Sequence, residues 1–283
     1  MNNQEQIDYW NGEAGERWAI EDERMAGLLE PIAMRLLEYL APRQGLHAID
    51  IGCGGGSQSV LLAERLGDAG QVLGVDVSGP LLNVARQRAE ALPPGCAQLA
   101  FQQADASSYS FDPASADLLF SRFGVMFFDD PVAAFTNLRT ALREGGRLGF
   151  CCWQALQHNA WVREPLKAAL VHLPAPEKAD PHAPGPFAFA DDTRVAAILG
   201  DSGFGNIRIE GREVEMAFGN GGNLRQTCAE LVNIGPVSRL LQDQAETVRQ
   251  RVVDAVAEAV APHFSDGRLR LEGAVWLVTA DAA

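Results

Sequence analysis

The 283-residue chain has no apolar run long enough to cross a bilayer. Its first residues, MNNQEQIDYW, lack a basic segment followed by an apolar one, so no secretory leader is expected. Basic residues are scarce: 23 Lys plus Arg stand against 37 Asp plus Glu, a net charge of −14. Neutralising a phosphate backbone needs the opposite balance, so neither nucleic acid nor a membrane is an expected partner. Cysteine is sparse, with five residues at 53, 96, 151, 152 and 228 and no C-x-x-C. An odd count without that motif fits a reduced, cytoplasmic chain whose cysteines are small buried residues. Cys151 and Cys152 would point to opposite faces of a strand, which argues against a bond between them. No His/Cys cluster has metal-ligand spacing, and no metal is expected. Asp129-Asp130 reads instead as a helix entry, with Asp130 capping a helix that begins at Pro131.

What is present is alternation. Up to about residue 45 the apolar positions Met25, Leu28, Leu29, Ile32, Leu36 and Leu40 recur at helical spacing. Strands and helices then take turns. HAIDIG, QVLGVDV, LAFQQAD, ADLLFSRF and RLGFCCW read as strands. Ser57 to Leu66, Leu81 to Leu92 and the segment from Asp130-Pro131 to Gly145-Gly146 read as helices. Ser78 is the expected cap of the second of these, with Pro80 in its first turn. ADLLFSRF is apolar almost throughout, as in a strand buried on both faces. This order implies a doubly wound α/β sheet, with ligands at the carboxyl ends of the strands.

After Trp153 the rhythm changes. WVREPLKAALVHL is a helical stretch, PAPEKADPHAPGPFAFA a long proline-rich loop, and Asp191 to Leu199 a helix. NIRIEGREVEMAF alternates as a strand does, two helices follow GNGG, and RLRLEGAVWLVTA is a final strand.

The segment GCGGGSQS follows the first strand and opens a helix. A P-loop needs a lysine after its glycines, and none follows. A dinucleotide fingerprint needs a third glycine where Ser57 or Ser59 stands. What fits is G-x-G-x-G at Gly52, Gly54 and Gly56, preceded by Asp50. Asp76 ends the second strand, where a carboxylate can accept from a ribose diol in either a dehydrogenase or a methyl transferase. Asp105 ends the third and can accept from an exocyclic adenine amine.

The segments AIDIGCGGGSQS, VLGVDVS, QQADA, ADLLFSRFGVMFF and LREGGRLGFCCW stand in an order and spacing that resembles class I S-adenosylmethionine-dependent methyltransferases. Within them the chain is similar to the small-molecule branch that includes ubiquinone/menaquinone C-methyltransferases. The resemblance covers residues 8 to 153. It implies a Rossmann-like, mostly parallel sheet of seven strands with helical lid insertions and an antiparallel last strand. It implies S-adenosylmethionine as cofactor. Gly52, Gly54 and Gly56 would lie under its methionine moiety and ribose, with Asp50 behind. Asp76 would take the ribose hydroxyls, Val77 would lie beside adenine, and Asp105 and Ala106 would contact it. Ser121, Arg122 and Phe123 would line the sulfonium side. The N-terminal arm would fold over the cofactor and bring Trp10 and Trp18 to it. The departure from the family is Gly55, where threonine or another residue is commoner, and a looser loop is expected.

The implied organisation is an arm over 1–45, a cofactor-binding core over 46–153, lid and acceptor insertions at 154–190 and 219–266, and sheet-completing strands in 191–218 and 267–283. Phe127, Trp153 and Trp161 are candidates for an apolar acceptor pocket. His158 and His182 are the candidate bases, needed only where the acceptor must lose a proton. The expected function is methyl transfer to a small organic acceptor at O, C or N. A cofactor-binding protein without transfer, and more remotely a nicotinamide dehydrogenase, are the alternatives. A small molecule is the expected partner, and a homodimer is left open.

Overall fold

The computed structural model describes residues 3–176 and 180–282. The termini of the expected arm and last strand, and 177–179 of the expected lid, lie outside them. Among the described residues are eleven α-helices and eight strands. The chain forms two compact units, Met1–Trp153 with Pro181–Arg212 and Val275–Ala283, and Gln154–Asp180 with Glu213–Ala274.

The first unit begins with three helices in the part that reads as helical, and the periodic positions Met25 to Leu40 all fall in the third. The helices are α1 (Asn3–Asn11), α2 (Glu13–Ile20) and α3 (Asp22–Leu40). The first break is Gly12, whose extended ψ of −158° ends the helical path. Alternating elements follow: β1 (His47–Ile51), α4 (Ser57–Leu66), β2 (Gln71–Asp76), α5 (Gly79–Glu90), β3 (Gln98–Gln103) and β4 (Ala116–Arg122). Then come α6 (Pro131–Ala141), β5 (Leu142–Trp153), α7 (Ala160–Ala169), α8 (Asp192–Asp201) and β6 (Phe204–Phe218). The chain ends with α9 (Leu224–Leu231), α10 (Gly235–Leu240), α11 (Glu246–Val260), β7 (Phe264–Ser265) and β8 (Arg268–Ala282).

The sheet order is β3-β2-β1-β4-β5-β8-β6, with β7 paired to β8 alone. Strands β1 to β5 pair in parallel, and β8 lies antiparallel to β5. The winding reverses between β1 and β4, which places the switch point where their carboxyl ends meet. β4 is buried along nearly its whole length, as its apolar run requires. Ser78 caps α5 through Leu81 N at 3.4 Å, and Asp130 caps α6 through Ala133 N at 3.0 Å. The helix α6 ends at Ala141, short of the expected Gly145-Gly146, because Leu142 already pairs with Ala116 of β4. Helix α3 packs on α4 and β5, and α6 on β5 and α8.

Residues 181–190 belong to this first unit rather than to an excursion. Gly185 N donates to Met126 O at 3.1 Å, and Trp276 Nε1 donates to Ala190 O at 2.9 Å. Phe189, 1% exposed, joins Phe135 and Phe150 in the core.

The second unit is a helical cluster in which α11 packs on α7 and α9, and α10 on α7. It takes in residues 213–218 and 268–274 of the two long strands, beyond the expected 219–266. The eighth strand, β7, follows from a two-residue hairpin. Asp266 and Gly267 both have positive φ, 50° and 72°, as a D-G turn requires.

Candidate functional site

The carboxyl ends of β1 and β4 meet through two glycines. A Cβ on Gly52 would lie 2.6 Å from Gly124 Cα, so the two backbones touch where no side chain fits. Gly52, Gly54 and Gly56 all have positive φ, at 68°, 54° and 78°. At Gly56 a Cβ would press on Ala85 and Phe101, whereas at Gly54 only Leu81 Cδ1 comes within 4.0 Å. The loop is therefore closed against the sheet at its ends and open in the middle. Gly124 is a site residue that sequence reasoning missed, although the G of SRFGVMFF was visible.

Asp76 ties the loop to β2. Its Oδ2 accepts from Gly54 N and its Oδ1 from Ser78 N, both at 2.8 Å. Burial pushes its carboxyl above the ordinary value, and the N–H groups of Ser78, Gly54 and Val77 pull it partly back. Val77 O is held by Asn11 Nδ2 at 2.9 Å and Gln103 Nε2 at 3.0 Å. Asn11 also accepts from Gly79 N at 3.0 Å. No sequence motif marks Asn11, which fastens the first helix to the end of β2.

Asp50 is fully buried, and its Oδ2 accepts from Ser59 Oγ at 2.5 Å. Burial raises its pKa to about 7, against the lowering effects of Ser59 and Arg122. Ser121 Oγ donates to Ile51 O at 2.7 Å, a second link between β4 and β1. Arg122 Nη2 reaches Ser57 Oγ at 3.4 Å, while Nε and Nη1 are buried without a hydrogen-bond partner. Burial lowers its pKa from the ordinary value. Phe123 adopts a positive φ of 68°, uncommon for an aromatic residue, and stacks on Trp153 at 4.4 Å and 10°.

Asp105 spends its carboxylate on its own turn. Ser107 N donates to Oδ1 at 2.9 Å, and the hydroxyls of Ser107 and Ser108 donate to Oδ2 at 2.8 and 3.1 Å. Ala106 is buried, with its carbonyl held by Asn137 Nδ2 at 3.2 Å.

The expectation of a loose loop at Gly55 is corrected. A Cβ there would overlap the Asp22 carboxylate, which is ion-paired to Arg88. Arg88 also donates to Gly55 O. The missing side chain makes room for an acid of the arm, so the gap is filled.

Trp10 meets Trp18 and Phe127 edge to face at 5.9 and 5.8 Å, and its carbonyl accepts from Ser78 Oγ at 2.8 Å. The arm aromatics thus gather beside the β2 end. Trp161 belongs to the second unit, where it packs against Phe218 and donates to Asn159 Oδ1 at 3.2 Å. His182 is an exposed turn residue of the first unit. His158 is exposed in the second, on a cleft of about 270 Å³ shared with Arg163, Glu213 and Glu272. Of the acceptor candidates, Phe127 and Trp153 lie in the first unit against Trp10 and Phe123, and Trp161 lies in the second. Among the described residues no group of three or more His, Cys, Asp or Glu could hold a metal, and no helix is long and apolar enough to cross a membrane.

Nocamycin O-methyltransferase of Saccharothrix syringae is 30% identical over 193 residues, covering 65% of each chain. Aklanonic acid methyltransferase of a Streptomyces species is 32% identical over 120 residues, 42% of this chain and 54% of that one. The matches thus span less than two thirds of these relatives' length. Among solved structures, a Bacillus halodurans chain described as a methyltransferase superposes with a TM-score of 0.54 at 16% identity, over 88% of this chain and 98% of that one. The family model for a methyltransferase domain matches residues 48–146, the segment from β1 into β5. Over that segment the chain is similar to the class I S-adenosylmethionine-dependent methyltransferases.

Proposed function

We propose that this protein transfers a methyl group from S-adenosylmethionine to a small organic acceptor, with oxygen as the receiving atom. The observation that carries the reading is the loop of Gly52, Gly54 and Gly56 at the switch point, tied to Asp76 through Gly54 N. These residues fit a nucleoside that has no phosphate chain to grip. Asp76 would take the ribose hydroxyls, and the middle of the loop would lie under the amino-acid end. Val77, Asp105 and Ala106 would border the adenine, and Trp10 and Trp18 would close the arm over it. The relatives support oxygen by name: nocamycin O-methyltransferase, and malonyl-[acyl-carrier protein] O-methyltransferase of Xylella fastidiosa.

The cofactor supplies an activated methyl and a good leaving group. The chain's part is then placement and exclusion of water. Orientation alone can account for about 7–11 kcal/mol of such a barrier. Glycines that let the backbone approach closely, and an arm that packs Trp10 against Phe127, serve that end. The second unit is proposed to carry the acceptor-binding residues. A phenol or carboxyl acceptor ionises readily, and only a less acidic hydroxyl would call on His158 or His182 as base.

The experiment is transfer of labelled methyl from S-adenosylmethionine to a panel of phenols, carboxylic acids and amines, with release of S-adenosylhomocysteine measured alongside. Label on an oxygen, matched by released S-adenosylhomocysteine, supports the reading. Binding of the cofactor with no transfer to any class would favour a binding role. The fold itself leaves that second reading in place: a chain described as the [4+2]-cyclase SpnF shares it, at TM-score 0.51 and 16% identity.

A further inference from the structure

A cleft of about 270 Å³ opens in the second unit, and its lining falls wholly within that unit. A water's share of liquid volume is about 30 Å³, so the cleft has room for a ligand of about nine non-hydrogen atoms. One wall is the turn Leu156–His158, and a buried amide fixes it. Asn159, 0% exposed, donates through Nδ2 to Gln154 O at 2.9 Å and Ala155 O at 3.2 Å. Its Oδ1 accepts from Ala274 N at 2.9 Å and Trp161 Nε1 at 3.2 Å. Arg163 donates to Gln157 O across the same turn. Both ends of the Asn159 amide are thus used, and Gln157 and His158 are held at the cleft before any ligand arrives.

The other wall comes from β6 and β8, which are neighbours in the sheet. Arg270 of β8 pairs with Glu215 of β6 at 3.5 Å. Side chains two residues apart share a face of a strand. On that face the next position along β8 is Glu272 and the one before Glu215 on β6 is Glu213, and both line the cleft. Opposite charges meet in the first pair, and like charges in the second. Like charges across neighbouring strands are destabilising, and costs of that kind persist at functional sites. The guanidinium of the lining, Arg163, is shared with Glu164 at 2.7 Å, so three carboxylates stand against it.

We propose that this cleft binds a small protonated amine, with its ammonium between Glu213 and Glu272 and with Gln157 and His158 beside it. An ammonium has three donors and no acceptor, which suits a lining dominated by carboxylates. A bare metal ion fits less well: among the described residues no group of three or more His, Cys, Asp or Glu could hold one. The net charge of −14 favours the approach of a cation. Amine binding here is independent of the cofactor, so its test needs no methyl transfer.

The test is calorimetric titration of the full chain at low salt with 1,4-diaminobutane and with 1,4-butanediol, which has the same length and no charge. One equivalent of the diamine is expected to bind, with a Kd on the order of 1 mM, and the diol is not. Glu272→Gln and Glu213→Gln should each weaken the diamine about tenfold. Both side chains are exposed, and each change relieves a like-charge pair, so ligand-free variants should unfold in urea no earlier than wild type. Glu90→Gln, the same change at an exposed acid of the first unit, is the control and should leave the affinity unchanged. Equal weakening by the control would mark general attraction of cations to an acidic chain and overturn the proposal. So would a diol that binds as tightly as the diamine, a diamine that does not bind, or affinities that neither glutamate variant changes.

Discussion

Replacing Gly52 by alanine tests the closest backbone approach in the site. Gly52 sits at φ 68°, and its Cβ would lie 2.6 Å from Gly124 Cα, 3.5 Å from Gly124 C and 3.7 Å from Gly124 N. The left-handed conformation costs an alanine about 1–2 kcal/mol. None of the atoms in the way is the end of a flexible side chain, so β1 and the turn after β4 must separate. Overpacking of that kind costs about 1–3 kcal/mol more. The sum is about 2–5 kcal/mol. Gly145→Ala is the control: its φ is 73°, and nothing lies within 4 Å of the added carbon. It incurs the conformational cost alone, about 1–2 kcal/mol. Urea unfolding of both variants measures the difference, and titration with S-adenosylhomocysteine measures its consequence. Gly52→Ala should lose at least about 1 kcal/mol more than Gly145→Ala and bind about tenfold or more weakly. Equal stability losses, with binding unaffected in both, would refute the claim that this approach shapes the cradle.

Three further outcomes follow from the same geometry. Gly55→Thr should displace Asp22 and cost about 1–3 kcal/mol in urea unfolding, and Asp22→Gly in the same chain should restore part of the loss; a double variant no better than the single one counts against the clash. Burial holds Asp50 at about 7 against an ordinary 3.8, so the folded state favours its protonated form. The stability this contributes is fully present below 3.8 and is lost as pH rises to about 7, up to about 4 kcal/mol in all. Ligand-free wild type should therefore lose stability relative to Asp50→Asn between pH 4 and 7, and parallel pH profiles would contradict the raised value. Asp76→Ala removes the acceptor of both Gly54 N and Ser78 N, and should weaken S-adenosylhomocysteine by more than tenfold in a fluorescence titration; an unchanged affinity sinks the ribose assignment.

The core of the site was legible because it is local. An apolar strand, a glycine loop and a helix follow one another within twenty residues, and positive φ at Gly52, Gly54 and Gly56 is what such a run of glycines permits. Ser78 and Asp130 announce themselves as caps by position. What remained hidden depends on distant pairs. Asn11 gains its place from Val77 and Gly79, over sixty residues away. Gly55 looks like slack until Asp22 is seen beside it. Residues 181–190 look like part of a proline-rich excursion, yet Phe189 reaches the Phe135 and Phe150 cluster and anchors them to the sheet. The two-residue β7 was legible after all, since D-G between Ser265 and Arg268 is a hairpin signal. The acceptor side stayed obscure because its candidates are single aromatics and histidines, whose types alone set no geometry.

The account stands on one placement, the nucleoside in the loop at the switch point. A crystal structure with S-adenosylhomocysteine bound measures it directly. The ribose hydroxyls are expected on Asp76, the adenine beside Val77 and the amino-acid end over Gly54 to Gly56. Density for the nucleoside away from this loop, or a ribose that does not touch Asp76, would contradict it.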